Sequence, residues 1–164
     1  MSMFNTARRA AGGMALAAAM AAVTAGCASP SAPRLEHAGA RVTERTAEGV
    51  AMAFTLDAYN DNEIALPLRD IEYSVSLEGR EVFRGTRSAE ATLRRKGVQQ
   101  LSLPAVIALE PGEGAPGGVR EFRLRGTLTY VTPGKIAELL FDTGVRVPSV
   151  GFATQGEIDF GAAN

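Results

Sequence analysis

The chain holds one cysteine, Cys27, and one histidine, His37, among 164 residues. Acyl-transfer chemistry needs a nucleophile beside a base, and a zinc site needs several nitrogen or sulfur ligands. One group of each kind, ten positions apart in a small-residue stretch, supplies neither. No Ser-x-x-Lys or Gly-x-Ser-x-Gly arrangement offers a serine route. No Gly-rich loop joins a strand to a helix, so no nucleotide phosphate site is expected. Acidic residues are common on any solvated surface, so no carboxylate pair is singled out for glycoside chemistry. The expectation is a protein that is not an enzyme, with no catalytic residue, no metal and no cofactor.

One oxygen-rich run needs separate treatment. Asn60-Asp61-Asn62-Glu63 offers four oxygen-bearing side chains in succession. A calcium loop of the EF-hand kind wants oxygen ligands at positions 1, 3 and 5 and glycine at 6. Counted from Asp57, position 3 is Tyr59 and position 6 is Asn62. The spacing fails. Asn and Asp side chains bond nearby backbone and tolerate left-handed conformations. The run therefore reads as a chain reversal, with Asn60 and Asn62 serving the backbone.

The basic clusters are Arg94-Arg95-Lys96 and the pair Arg123 and Arg125. They could meet lipid phosphates. A turn and a solvated strand face explain them more simply. Removing residues 1–26 takes away Arg8 and Arg9 and no acid, which leaves 15 basic and 18 acidic residues, a formal −3. That balance argues against nucleic acid as a partner.

The N-terminus points elsewhere. Arg8 and Arg9 precede "AAGGMALAAAMAAVTA", which carries no charge. It is too short and too weakly apolar for a membrane span of about 20 residues, and it fits a signal peptide over 1–26. The residues flanking the arginine pair do not support a twin-arginine signal, so ordinary Sec export is expected. "VTAGC" resembles a bacterial lipobox, with Thr24 where leucine is usual. A lone thiol in an exported protein needs a use, and a thioether to diacylglycerol at Cys27 supplies one. Ala28 and Ser29 follow it, with no aspartate to favour inner-membrane retention. The expectation is cleavage before Cys27 and a lipid anchor in the bacterial cell envelope, on the outer membrane facing the periplasm.

These groups need elements to carry them. "ASPSAPRLEHAGA" is rich in small residues and proline and reads as a flexible tether over 27–40. From Val50 the pattern has period 2. Val50, Met52, Phe54, Leu56 and Ala58 share one strand face; Ile71, Tyr73, Val75 and Leu77 share another. "LEGRE" is a Gly-containing hairpin, followed by the short strand "EVFRGT". "GVQQLSLPAVIAL" is extended, with Pro104 marking a strand end or an edge. Phe122, Leu124, Gly126, Leu128 and Tyr130 alternate with Arg123, Arg125, Thr127 and Thr129. "IAELLF" is read as a strand or one helical turn, and "VRVPSVGF" and "GEIDF" as short closing strands. About seven strands separated by turn signals predict an all-β, antiparallel two-sheet sandwich over 41–164.

"FTLDAYNDNEIALPLRDIEYSVSLEGREVFRG" resembles the late-embryogenesis-abundant type 2 family, also described as the water-stress-and-hypersensitive-response (WHy) domain. The likeness rests on Asn60-Asp61-Asn62 for an Asn-Pro-Asn turn and on Leu66-Pro67-Leu68. The strand Ile71 to Leu77, Gly79 in the hairpin, and Val82 to Gly85 extend it. "QQLSLPAVI" and "FRLRGTLTY" carry it over nearly all of the domain. It departs at Asp61, where proline is usual, and at "EPGEGAPGG", where many members have a short helix. The resemblance implies a fibronectin type III/immunoglobulin-like sandwich, no catalytic residues, and a role in desiccation and stress tolerance. Bacterial members are often lipoproteins. The expected partners are therefore the membrane through lipidated Cys27, and an envelope protein or an apolar ligand. The alternative function is a periplasmic carrier for a lipid or other apolar ligand.

Overall fold

The computed structural model describes residues 30–112 and 114–161. The signal peptide read over 1–26 and the lipidation residue Cys27 lie outside the described residues. Eight strands and one helix follow in order: β1 Arg34–Arg45, β2 Gly49–Asn60, β3 Leu66–Leu77, β4 Arg80–Ser88, β5 Thr92–Leu93, β6 Gly97–Ala108, β7 Val119–Tyr130, α1 Lys135–Asp142 and β8 Ser149–Asp159. They form an antiparallel two-sheet β-sandwich. One sheet has the order β1-β2-β6; the other has β4-β3-β7-β8, with β5 paired to β3.

The period-2 runs form the inner faces. Val50, Met52, Phe54, Leu56 and Ala58 of β2 are all buried, as are Ile71, Tyr73, Val75 and Leu77 of β3. β6 adds Leu101, Leu103, Ala105 and Ile107; β7 adds Phe122, Leu124, Leu128 and Tyr130. Fully burying one such large side chain contributes about 1.5–3 kcal/mol, which is why strict alternation selects one register. Phe54 lies against Phe122 across the core, ring centroids 5.1 Å apart. Tyr73 reaches the other way, its hydroxyl donating to the Pro104 carbonyl of the opposite sheet. Pro104 sits on β6, at the edge of its sheet, where a missing ladder donor costs least.

Two features follow from backbone geometry. Glu78 and Gly79 both have positive φ, 48° and 81°, as a two-residue hairpin between right-twisted strands requires. Gly126 faces Tyr73 on one side and Phe152 on the other. A Cβ there would stand 2.5 Å from the Phe152 ring and 2.5 Å from the Glu72 carbonyl oxygen. The missing side chain lets the aromatic ring lie over the strand.

Three expectations change. β1 begins at Arg34, so residues 34–40 of the stretch read as a tether are strand, and the folded domain starts before residue 41. Its register slips between His37 and Gly39 and again between Val42 and Glu44. Such bulges break the alternation that reveals a strand. His37 is accordingly a β1 residue opposite Leu56, its ring tilted against Phe122 at 5.4 Å. "IAELLF" is helix: α1 runs for 8 residues. Of the closing "VRVPSVGF" and "GEIDF", residues 149–152 and 156–159 are parts of one strand, β8, and residues 145–148 precede it outside the sheet.

Candidate functional site

Asn60 ends β2 and is the one buried polar residue among the described residues, at 1% exposure. It continues the inward face of β2, so period 2 carries an amide into a position the strand reserves for apolar groups. A buried amide must find partners for its donors and acceptor. Its Nδ2 donates to the carbonyls of Ile64 at 2.8 Å, Arg94 at 3.0 Å and Leu93 at 3.3 Å. Its Oδ1 accepts from the Asn62 backbone N–H at 3.0 Å and from Asn62 Nδ2 at 2.8 Å. The first of these is the Asx-turn expected of this run.

Asn62 passes the link outward. Its Oδ1 accepts from the Ser31 N–H at 2.8 Å, and its Nδ2 donates to the Ser31 carbonyl at 2.9 Å. A side-chain amide thus bonds both backbone groups of one residue, as a strand neighbour would. Lys96, at φ 47°, completes the turn. Its N–H donates to the Asn62 carbonyl at 3.0 Å, its Nζ to the Asp61 carbonyl at 2.8 Å, and the ammonium lies 3.3 Å from Glu63 Oε1. The oxygens of Asn60 and Asn62 are therefore spent on the backbone and on one another. The run reverses the chain and ties three segments, Ser31, the β2–β3 turn and the β5–β6 turn.

These three segments lie at one end of the sandwich. The registers Arg34 with Tyr59, Asn60 with Gly97, and Leu66 with Leu93 put them together. Leu68 with Tyr130 and Thr129 with Ser149 bring the β7–β8 connection, with α1, to the same end. Only three residues separate Cys27 from Ser31 along the chain. The tie between Asn62 and Ser31, across 31 positions, has no signature in the sequence.

The opposite end is different in character. Leu77, Val82, Ile107, Leu109 and Pro116 line a cavity of about 420 Å³ there, rimmed by Glu78, Arg80 and Arg120. Arg123 and Arg125 are exposed on the outer face of β7, Arg123 reaching Gln155 Oε1 at 3.4 Å. Arg94 and Arg95 are exposed in the turn before β6. The two cationic groups are not brought together: one lies in an end loop and the other on a sheet face. Burial pushes the Tyr73 phenol above its ordinary range, opposed by the positive charge of Arg87. Arg84 bonds the exposed Glu81 carboxylate and holds it below its usual range.

Solved structures share this architecture. A solution structure of a protein from Arabidopsis thaliana is 14% identical, with a TM-score of 0.57 over 82% of this chain and 88% of that one. A protein described as a late embryogenesis abundant (LEA) protein is 18% identical, with a TM-score of 0.59 over 80% of this chain and 72% of that one. At these identities the likeness is one of fold. No curated protein matches the chain. The sequence profile of the family described as late embryogenesis abundant protein matches residues 55–151, from the middle of β2 into β8. The matched span runs through the Asn60–Asn62 turn, the LEGRE hairpin and β7, and the chain belongs to the late embryogenesis abundant protein family (LEA type 2).

Proposed function

We propose that the protein is a lipid-anchored, non-catalytic LEA type 2 domain of the WHy kind. It is held at the bacterial envelope, on the outer membrane facing the periplasm, and serves stress protection, desiccation above all, or engagement of an envelope protein. The observation that carries the anchor is the position of Cys27. It is the sole cysteine, follows "VTAG" at the end of an uncharged apolar run, and precedes the first strand by seven residues. What supports a non-catalytic role is the use made of the reactive groups. His37 lies against Phe122, Tyr73 bonds a backbone carbonyl, and the Asn60 turn is occupied by backbone.

The test is Cys27→Ser expressed in cells with its leader. The unaltered protein is expected in the membrane fraction, its N-terminal peptide heavier by a diacylglyceryl thioether and an amide-linked acyl chain. The variant is expected in the soluble fraction. Several acyl chains hold a protein at a bilayer far more firmly than a few surface side chains. An unaltered protein whose N-terminal peptide carries no lipid mass overturns the anchor.

One observation favours the carrier reading as a second possibility: the cavity at the far end, with Leu77, Val82, Ile107 and Leu109 on its wall. Apolar walls with a few charges at the rim suit an apolar ligand with a polar head. Delipidation and mass spectrometry of the purified domain would find a stoichiometric lipid. Recovery of none, with Val82→Trp leaving the domain's lipid content unchanged, removes that reading.

A further inference from the structure

We infer that the sandwich end bearing α1 is a membrane-docking surface, which rests against the same phospholipid layer that receives the Cys27 anchor. The inference rests on the anchor reading above and adds an orientation and a contact surface to it.

The first observation is apolar exposure. α1 buries none of its residues. Ile136 is 77% exposed and Leu139 62%, one helical turn apart on the same side. After the helix, Gly144 at φ 71° turns the chain back, and the Arg146 N–H bonds the Leu140 carbonyl at 3.0 Å. That return sets Val145 and Val147, 72% and 50% exposed, beside the helix end. Among the described residues eight large hydrophobics are exposed. Six of them, Ile64, Val98, Ile136, Leu139, Val145 and Val147, belong to this end. Scattered exposed apolar residues need no explanation, but their concentration at one end of the domain, four of them within the excursion, points to an interaction surface.

The second observation identifies the occupant. Ser31 is fixed to Asn62 at this same end. Four chain steps separate it from Cys27, at most about 14 Å when fully extended. An acylated Cys27 lies at the headgroup level, so this end cannot stand far from the bilayer. The sheets of a sandwich pack about 10 Å apart, so the starts of β1 and β8, which Ser31 and α1 precede, lie at the same end of a thin domain. The charges of the excursion agree with an interfacial position. Lys135 and Arg146 balance Glu138 and Asp142, so contact is made by apolar insertion and not by attraction to anionic lipid alone. Helices with one apolar side lie in this way at the boundary between headgroups and acyl chains. A few side chains give only weak binding by themselves. The anchor raises the local concentration of bilayer, and the docking face sets which way the domain points.

The test uses the full, acylated chain in vesicles of phosphatidylethanolamine and phosphatidylglycerol. Cys27 is blocked by its thioether, so a single new cysteine can carry a bimane label. Leu139→Cys and Glu48→Cys place the label at the docking end and at the opposite end. Phospholipids with a nitroxide near the top of the acyl chain are expected to abolish most emission at 139 and to leave 48 unchanged. Adding Ile136→Asp and Val147→Asp to Leu139→Cys should restore emission, while circular dichroism and the unfolding midpoint stay as they were. Equal, weak quenching at 139 and 48 in an acylated chain overturns the docking face and leaves the anchor standing. A free Cys27 thiol overturns the anchor. In that chain, with Cys27→Ser, quenching at 139 on concentrated vesicles still supports docking, and its absence removes both. Disulfide capture of one Leu139→Cys chain by another on the vesicle, without quenching, assigns the face to a second copy and overturns the inference.

Discussion

The Asn60–Ala65 turn and the Val131–Pro148 excursion join strands at the same end of the sandwich, and they hold themselves by different means. The turn buries Asn60 at its start and uses the five hydrogen bonds of that one amide to join two backbone segments, the β2–β3 and β5–β6 turns, while Asn62 holds Ser31. The excursion folds into a helix with no fully buried residue, Ala137, Leu140 and Phe141 being half-buried, and closes its own C-terminus with bonds from Thr143, Gly144 and Arg146. An isolated helix of two turns is marginal in water, because nucleation costs more than so few bonds return. One connection is thus completed by the domain itself. The other leaves Ile136 and Leu139 uncovered. Polar residues in the turn and the exposed apolar residues on the helix each do the opposite of what their class does by default; in the turn, neighbouring backbone explains it, and for the helix the bilayer is the surface proposed.

Breaking the turn should have the largest effect. Asn60→Ala leaves three carbonyls and the Asn62 amide without their partner, and an unsatisfied buried group costs about 1–3 kcal/mol. A loss of about 3 kcal/mol in urea unfolding is expected. A loss below about 0.5 kcal/mol would mean that water replaces the amide and that the turn is no tighter than the helix.

Asn62→Ala should cost less, about 1 kcal/mol, since its bonds to Ser31 are exposed. Its clearer sign would be proteolysis: cleavage near Ser31 should become faster while the strands stay protected. Pro33 is buried just before β1, and unchanged cleavage would show that it and β1 alone hold the N-terminal segment.

Tyr73 tests the tie across the middle of the sandwich. Its phenol is raised above the ordinary value of 10.0 chiefly by burial. The folded state therefore keeps its proton after the unfolded chain has lost it. The stabilisation is complete below pH 10 and falls away as pH rises through the folded value. Tyr73→Phe should cost about 1 kcal/mol at pH 8 and flatten the decline in the unfolding midpoint above pH 10. A decline of equal slope in the variant would assign the alkaline loss to other groups.

The smallest effect is expected from Ile136→Ser with Leu139→Ser. Neither side chain is buried, so stability in solution should move by less than about 0.5 kcal/mol. A loss above about 2 kcal/mol would show that α1 packs on the domain and would end the contrast with the turn.

The alternation of β2, β3 and β7 was legible because both sheets bury one face only, and each inward position repeats every second residue. The helix was ambiguous because "IAELLF" is too short for its period to separate strand from helix. β1 was hidden by its two bulges, which put Gly39 and Glu44 out of phase. β5, two residues long, has no period at all. In the candidate site, Asn60 and Asn62 were identified as backbone-serving turn residues from composition and spacing. Their partners Leu93, Arg94 and Ser31 were not, because each lies about 30 positions away in sequence and is brought near only by strand register.

What the sequence by itself determined is local: which faces are apolar, where the chain turns, that Cys27 is the lone thiol, and that no calcium-loop spacing exists. These depend on the order of neighbouring residues and on the dihedral preferences of Asn, Gly and Pro. The tertiary structure alone decided what meets at each end of the sandwich. It placed the Asn62 tie to Ser31 and the exposed apolar side of α1 at one end, and the cavity walled by Leu77 and Ile107 at the other. Such meetings follow from strand pairing over long separations, and each pairing is set by the burial of a whole face, not by any single residue.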